Sequence, residues 1–243
     1  MLRELKQKQI ILENRKPYST GVREYIRELS LLDWTYSSMR LDGGVLSRAE
    51  TEKILKGGFI ENVSISDHIL IERYGDLFKA VNYMLEMSHN LNKEMILKFN
   101  QKLTGKSVNA YRRDNPVLVS LSHNPPHFSE IDEQIDLLMN WFFSEDMESD
   151  PVKKAACLHM RLLEIYPFEE FTEATARAAM YYYLMENGLP VFEIVLREQE
   201  YNTVVMEYLK KENLRPFCME LEEGLFNKME VLIQLTAPKG GGS

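Results

Sequence analysis

Cysteine is almost absent from this chain: Cys157 and Cys218 are the only two in 243 residues. Both lie in apolar helical patterns, which reads as buried free thiols and excludes a disulfide framework. Long hydrophobic runs are missing as well. None approaches the roughly 18 residues a membrane span requires, and Met1 to Asn14 is a charged amphipathic stretch without the apolar core of a signal peptide. The expected compartment is the cytoplasm, with no membrane partner. Glycine and proline number only 12 and 9, which leaves little for low-complexity linkers. The last residues, Lys239 to Ser243, end in Gly-Gly-Gly-Ser and read as a flexible tail or an expression remnant. Positive charge is the minority sign: 29 Lys and Arg stand against 37 Asp and Glu, a net charge of −8. Phosphate backbones are held by clustered cations, so nucleic acid is not an expected partner. No repeat of 20 to 50 residues is visible, which excludes a solenoid.

What the sequence does have is helical periodicity. Ile131, Ile135, Leu138, Trp141 and Phe142 trace one apolar stripe, and Val152, Ala155, Ala156, His159, Leu162 and Leu163 trace another. Stop signals separate such stripes at Gly57-Gly58, Gly105, Asn124-Pro125-Pro126 and Asn187-Gly188. The expected fold class is all-α, about eight helices around Leu162, Leu163, Phe168, Met180 and Leu184. The exception is Asn115 to His123, where Val117, Leu118, Val119, Ser120 and Leu121 are β-rich and bounded by Asn-Pro and Asn-Pro-Pro, predicting a strand or small hairpin. An unpaired edge there is a natural place for another chain to add a strand.

Several segments, in order, resemble the Fic (Fido) family. The block Trp34 to Ser47 is similar to that family's inhibitory segment, with Ser38, Asp42 and Gly43 at the positions of its Ser or Thr, Glu, and Gly or Asn. Ser66 to Met87, the Tyr111-Arg112 turn, the β-rich segment before Pro125-Pro126, Arg197 to Tyr201 and Leu214 to Phe217 resemble the family's body, flap and late helices. Tyr166-Pro-Phe-Glu-Glu-Phe-Thr-Glu-Ala-Thr-Ala-Arg177 lies where the family carries His-Pro-Phe-x-Asp/Glu-Gly-Asn-Gly-Arg-x-x-Arg. Pro167, Phe168, Glu170 and Arg177 match. Tyr166 replaces the His, Phe171 and Glu173 the two Gly, Thr172 the Asn, and Ala174 the first Arg. The resemblance implies an N-terminal helical segment over 1–60, a Fic-type core over 61–235, and a tail over 236–243.

In working relatives the motif His removes a proton from a target hydroxyl as it attacks the α-phosphate of ATP, a task for a group with a pKa near 7. Tyr166 is the replacement, and a tyrosine is only about one part in a thousand ionised at pH 7. The Gly-Asn-Gly turn would bring backbone N–H groups to phosphates; here Phe171 and Glu173 add bulk and a negative charge, and Ala174 removes a cation. The resemblance assigns Phe168, Glu170, Thr172 and Arg177 to a degenerate nucleotide site, with Glu170 at the magnesium-ligating position. A plain structural reading of the same loop is a helix start capped by Thr172, with Glu173 near the positive end of the macrodipole and Phe171 packed inward. Asp42 and Arg177 could form a bridge, directly or through water. His159 reads as a core residue, and His123 and His127 as surface residues that Pro125-Pro126 keeps from a shared metal site.

The expected function is a degenerate, regulatory or protein-binding Fic scaffold without AMP transfer, needing no cofactor. Its flap residues Val117, Leu118 and Val119, with the cleft beneath, would take the partner protein. The alternative is a divergent enzyme that passes AMP or another phosphate-containing group to a protein hydroxyl, with ATP and Mg. A homo-oligomer using the Met180 to Tyr183 stripe is a third reading.

Overall fold

The structure is a computed structural model that describes residues 2–108, 110–144 and 150–238; the tail residues Lys239 to Ser243 lie outside them. Ten α-helices are present among the described residues. They are α1 (Leu2–Asn14), α2 (Thr20–Leu41), α3 (Arg48–Leu55), α4 (Ile65–Glu86), α5 (Lys93–Thr104), α6 (Ile131–Phe142), α7 (Pro151–Ile165), α8 (Thr172–Glu186), α9 (Glu198–Lys211) and α10 (Arg215–Leu235). The starts are written in local chemistry. Ser19, Ser64, Asn92 and Asp150 each accept a hydrogen bond from a backbone N–H in the first turn, and Ser47 and Glu50 close a reciprocal capping box. Pro151 follows its cap at a position where a missing N–H costs nothing.

The centre of the molecule is the α7–α8 pair. Small residues meet there, Ala155 and Ala156 from α7 and Ala174, Ala176, Ala178 and Ala179 from α8, all buried, so the two backbones approach closely. Around that pair, α5 packs on α8, α4 on α5, α6 and α9 on α7, and α1 lies along α10. Leu162, Leu163, Phe168, Met180 and Leu184 are all 2% exposed or less, which places the core where the periodicity put it. Trp141 is the departure. It is 39% exposed, because the buried face of α6 runs through Ile131, Ile135, Leu138 and Phe142 and Trp141 sits at its margin. Both cysteines are free and half-buried, and burial raises both thiol pKa values, that of Cys218 to about 12.

The expected strand or hairpin at Asn115 to His123 is not there. The segment makes one antiparallel bridge, Leu118 to His123, around a 3-10 turn at Val119–Leu121. Leu118 and His123 exchange both backbone bonds, 3.0 and 3.2 Å, and Ser122 turns the chain with φ of 50°. The valine-rich composition carries β-propensity, but a strand also needs a neighbour to pair with. The bounding prolines leave room for a tight loop and no more.

Candidate functional site

The site gathers around the loop between α7 and α8. Tyr166 ends α7 in the left-handed region, φ 48°, and Phe171 opens α8 there too, φ 60°. Between them, Phe168 N donates to Thr172 Oγ1 and Thr172 Oγ1 donates back to Phe168 O, both 3.1 Å. Thr172 is therefore not the helix cap expected of it. It is the first residue of α8, the cap position belongs to Phe171, which makes no side-chain capping bond, and the Thr172 hydroxyl is used to close the loop. Asn100 of α5 steadies the loop from outside, donating to Glu170 O at 2.8 Å and Thr175 Oγ1 at 3.2 Å.

Arg112 holds the other side, and nothing in the sequence beyond a Tyr-Arg turn marked it. It is 2% exposed. Its Nε donates to Tyr166 O at 2.7 Å, Nη1 to Asp114 O at 2.7 Å, and Nη2 to Pro126 O at 2.6 Å, while its backbone N donates to Pro167 O at 2.9 Å. Burial lowers its pKa, and carbonyl oxygens compensate the charge in place of a carboxylate. One side chain thereby ties the end of α7 to both ends of the flap segment. His123 adds a second tie, Nε2 to Glu164 O at 2.7 Å. His127 contacts Ser129 Oγ at 2.8 Å, so the two histidines face separate local partners.

The end of α2 reaches into this region. Asp42 caps α2, and Arg177 Nη2 donates to both of its carboxylate oxygens at 2.6 Å. Tyr74 OH donates to Asp42 Oδ2 at 2.9 Å. No water is needed, because Asp42 at the end of α2 meets Arg177 directly, the guanidinium side chain being 1% exposed. Burial opposes the Arg177 charge, yet the Asp42 carboxylate, together with Tyr74 and Tyr201, outweighs it and holds the pKa well above the ordinary value. Ser38 is buried, and its carbonyl lies 3.4 Å from Arg177 Nη2. Gly43 follows with φ 82°, where a Cβ would stand 3.1 Å from Glu198 Oε2; both facts favour glycine.

Asp42 lines a cleft of about 360 Å³ with Phe171, Glu173, Ala174, Glu198 and Tyr201, roofed by Ser120 and Leu121 of the flap turn. Three carboxylates line it and no Lys or Arg does. Tyr166 OH donates to Glu173 Oε1 at 2.9 Å. Burial first, and Glu173 second, push the Tyr166 pKa far above its usual value, which removes it further from proton abstraction. Glu173 is itself raised by burial. Beneath, Tyr201 OH meets His159 Nε2 at 2.7 Å, and burial, with the Arg177 charge, depresses His159 to about 3.

Other sequence candidates fall outside the cleft. Glu170 is half-exposed and paired with Lys106 at 3.0 Å. Phe168 is buried against Tyr111, centroids 5.8 Å apart. Val117 and Val119 stand out from the flap at 70% and 82% exposure, and Leu118 is half-buried. Among the described residues no group of three or more His, Cys, Asp or Glu converges to hold a metal. A magnesium–nucleotide complex does not fit this arrangement: the acid at the metal position is turned to Lys106, and the cleft wall is anionic where phosphates would lie.

Residues 90–184 match the model of the Fic/DOC family, and that span contains the flap, the loop and most of α8. Over that span the chain carries a Fic-domain match. It is 27% identical over 209 residues to Protein adenylyltransferase fic-1 of Caenorhabditis briggsae, covering 82% of this chain and 40% of that one. It is also 27% identical over 192 residues to Protein adenylyltransferase Fic of Aedes aegypti, covering 75% and 38%. The chain thus spans about 40% of the length of the curated relatives it matches. The Fic fold is seen as well in a Fic domain containing signaling protein from Bacteroides thetaiotaomicron, TM-score 0.83 at 20% identity over 96% of this chain and 97% of that one. Fic-1 of Caenorhabditis elegans gives 0.78 at 23%, covering 96% and 70%. No helix among the described residues is long and apolar enough to cross a membrane.

Sequence reasoning missed Arg112, Tyr74, Asn100, Tyr201 and Glu198 as builders of the site. They lie on α4 (Tyr74), α5 (Asn100), α9 (Glu198 and Tyr201) and the connection before the flap (Arg112), and only the packing of these segments around the α7–α8 loop brings them together.

Proposed function

We propose that this Fic domain no longer transfers nucleotide and serves as a binding scaffold whose flap edge and cleft receive a partner protein. The observation that carries the reading is the charge of the cleft: Asp42, Glu173 and Glu198 line it without a cation, and the Arg177 guanidinium is already held by Asp42. Phosphate groups entering there would meet repulsion instead of a cradle. Tyr166, donating to Glu173, offers no base. The exposed Val117 and Val119 of the flap turn beside this cleft support the protein partner, since exposed apolar side chains next to a cleft offer a contact surface.

The names of the curated relatives, protein adenylyltransferases, favour the second reading, a divergent enzyme that moves AMP or a similar group to a protein hydroxyl. Calorimetric titration with ATP and Mg²⁺ separates the two. The scaffold reading expects no binding tighter than about 10 μM, about −7 kcal/mol. A tighter, saturable site would favour the enzyme.

A further inference from the structure

Lys228 of α10 is the most buried lysine among the described residues, its side chain 5% exposed. It lines a cavity of about 300 Å³ between α2, α10 and residues 193–195, with Arg48 of α3 at one side. Asp33 of α2 lines the same cavity. It precedes Asp42 by roughly 14 Å of helix, so this cavity is separate from the cleft under the flap. The open side is apolar: Val195 and Val231 are exposed and Leu29 is half-buried, within reach of an entering molecule.

Lys228 Nζ donates to Asp33 Oδ2 at 2.6 Å. The other oxygen of that carboxylate already accepts from Arg48 Nη2. Arg48 Nη1 donates to Glu193 Oε2 at 2.6 Å, and Arg40 Nη1 lies 3.2 Å from Glu193 Oε1. Two arginines, which do not lose their protons in proteins, therefore balance two carboxylates. Lys228 is the remaining charge in a set that is neutral without its extra proton. Glu220, the next acid, is committed to Val195 N at 2.7 Å, and burial works against its charge. Burial pulls the Lys228 pKa below its ordinary value, against Asp33 and in the same direction as Arg48. A desolvated lysine beside another cation is the kind that reacts as a free amine.

We propose that Lys228 is a covalent site for a small aliphatic aldehyde, which it takes up as an imine. The neutral Nζ attacks the carbonyl carbon, the N–C bond forms, and the C=O π pair moves to oxygen. Asp33 Oδ2 accepts one Nζ proton and passes it to that oxygen, giving a carbinolamine. The second Nζ proton follows by the same route, the oxygen leaves as water, and C=N remains. Amine and aldehyde thus become imine and water, with no oxidant or reductant. The product adds no charge, so the two arginines and two carboxylates stay balanced. The apolar open side suits an alkyl chain, and Asp33 and Glu193 repel an anionic carbonyl compound such as a keto acid.

The test is to incubate the folded protein near neutral pH with hexanal and sodium cyanoborohydride, which fixes an imine as a stable alkylamine, and to map the labelled lysines by peptide mass spectrometry. An ordinary exposed lysine is neutral there in less than about one part in a thousand, so Lys228 is expected to be labelled at least about tenfold faster than exposed lysines such as Lys56 and Lys79. The advantage should shrink toward about pH 10, where exposed amines discharge as well. Glycolaldehyde, which has the reactive group without the alkyl chain, should favour Lys228 less than hexanal does. Lys228→Met should remove the fast adduct from the intact mass, and the wild-type map decides the matter if that variant does not fold. Labelling of exposed lysines with Lys228 untouched would show a purely structural ion pair and overturn the proposal. So would a rate at Lys228 no greater than theirs, or an equal preference for the two aldehydes.

Discussion

Single residues carry unequal weight in this loop. Arg177 is the most constrained, since an arginine at 1% exposure keeps its charge only because Asp42 accepts from it at 2.6 Å. Removing one partner of a buried pair leaves an uncompensated charge, at a typical cost of about 3–5 kcal/mol. Asp42 is 28% exposed on its side chain, so water can reach Arg177 in its absence and the low end applies. Asp42→Ala is expected to lower the unfolding free energy by about 3 kcal/mol, and Asp42→Asn, which keeps one acceptor oxygen, by about half as much. Urea denaturation at constant slope measures both; a neutral Asp42→Ala would mean that the bridge contributes nothing. Phe171 illustrates the opposite situation. Its φ of 60° sits where an L-residue with a Cβ is strained by about 1–2 kcal/mol, and the half-burial of its ring offsets a similar amount.

At the scale of elements, the α7–α8 pair carries a titrating group that stability should register. His159 on α7 is fully buried, stacks on Phe217 with centroids 4.9 Å apart, and is depressed to about 3 by burial and by Arg177. The unfolded chain takes up a proton near pH 6.5 while the native state does not. The stability from keeping His159 neutral is therefore complete above pH 6.5 and is lost as pH falls toward 3, by up to about 1.4 kcal/mol per pH unit. Glu173, raised by burial, works in the other direction, so the comparison must be a difference between proteins. His159→Phe should cost about 1–3 kcal/mol at pH 7 by stranding Tyr201 OH and should flatten the fall in urea midpoint between pH 6.5 and 4.5; an unchanged slope would contradict the assignment. Much of this architecture was legible beforehand. The stripe from Val152 to Leu163 marked the buried face of α7, and the Pro-Phe and final Arg pointed to the loop around which the candidate site gathers. The flap was misread because Val117 to Leu121 has strand composition and no strand partner, which composition cannot reveal. Thr172 was misread because a cap and a loop staple use the same hydroxyl, and the choice depends on where Phe168 N lies. The Tyr111-Arg112 turn was visible but the role of Arg112 was not, since its partners are carbonyl oxygens that every sequence has.

For the whole molecule, the question is whether one lost group or a rebuilt site separates this chain from its adenylyltransferase relatives, and Tyr166→His tests it. If only the base were missing, the substitution would restore proton removal near neutral pH and some transfer with it. We expect no transfer. The new imidazole would face Glu173, which now accepts from Tyr166, and a base has no aligned electrophile to assist when the phosphates lack a preorganised seat. That seat requires Phe171→Gly, Thr172→Asn, Glu173→Gly and Ala174→Arg together, with Asp42→Ala to release Arg177. The energetics of such a variant are mixed: glycine at 171 relieves the left-handed strain, whereas Asp42→Ala spends about 3 kcal/mol of a total that is commonly 5–15. The loop variant should therefore be made with and without Asp42→Ala, and each folded protein incubated with labelled ATP and Mg²⁺. Label on the protein is expected, if at all, only when the whole loop is rebuilt. Clear incorporation by the Tyr166→His single variant would show that the phosphate seat survives in this cleft and would overturn the scaffold reading.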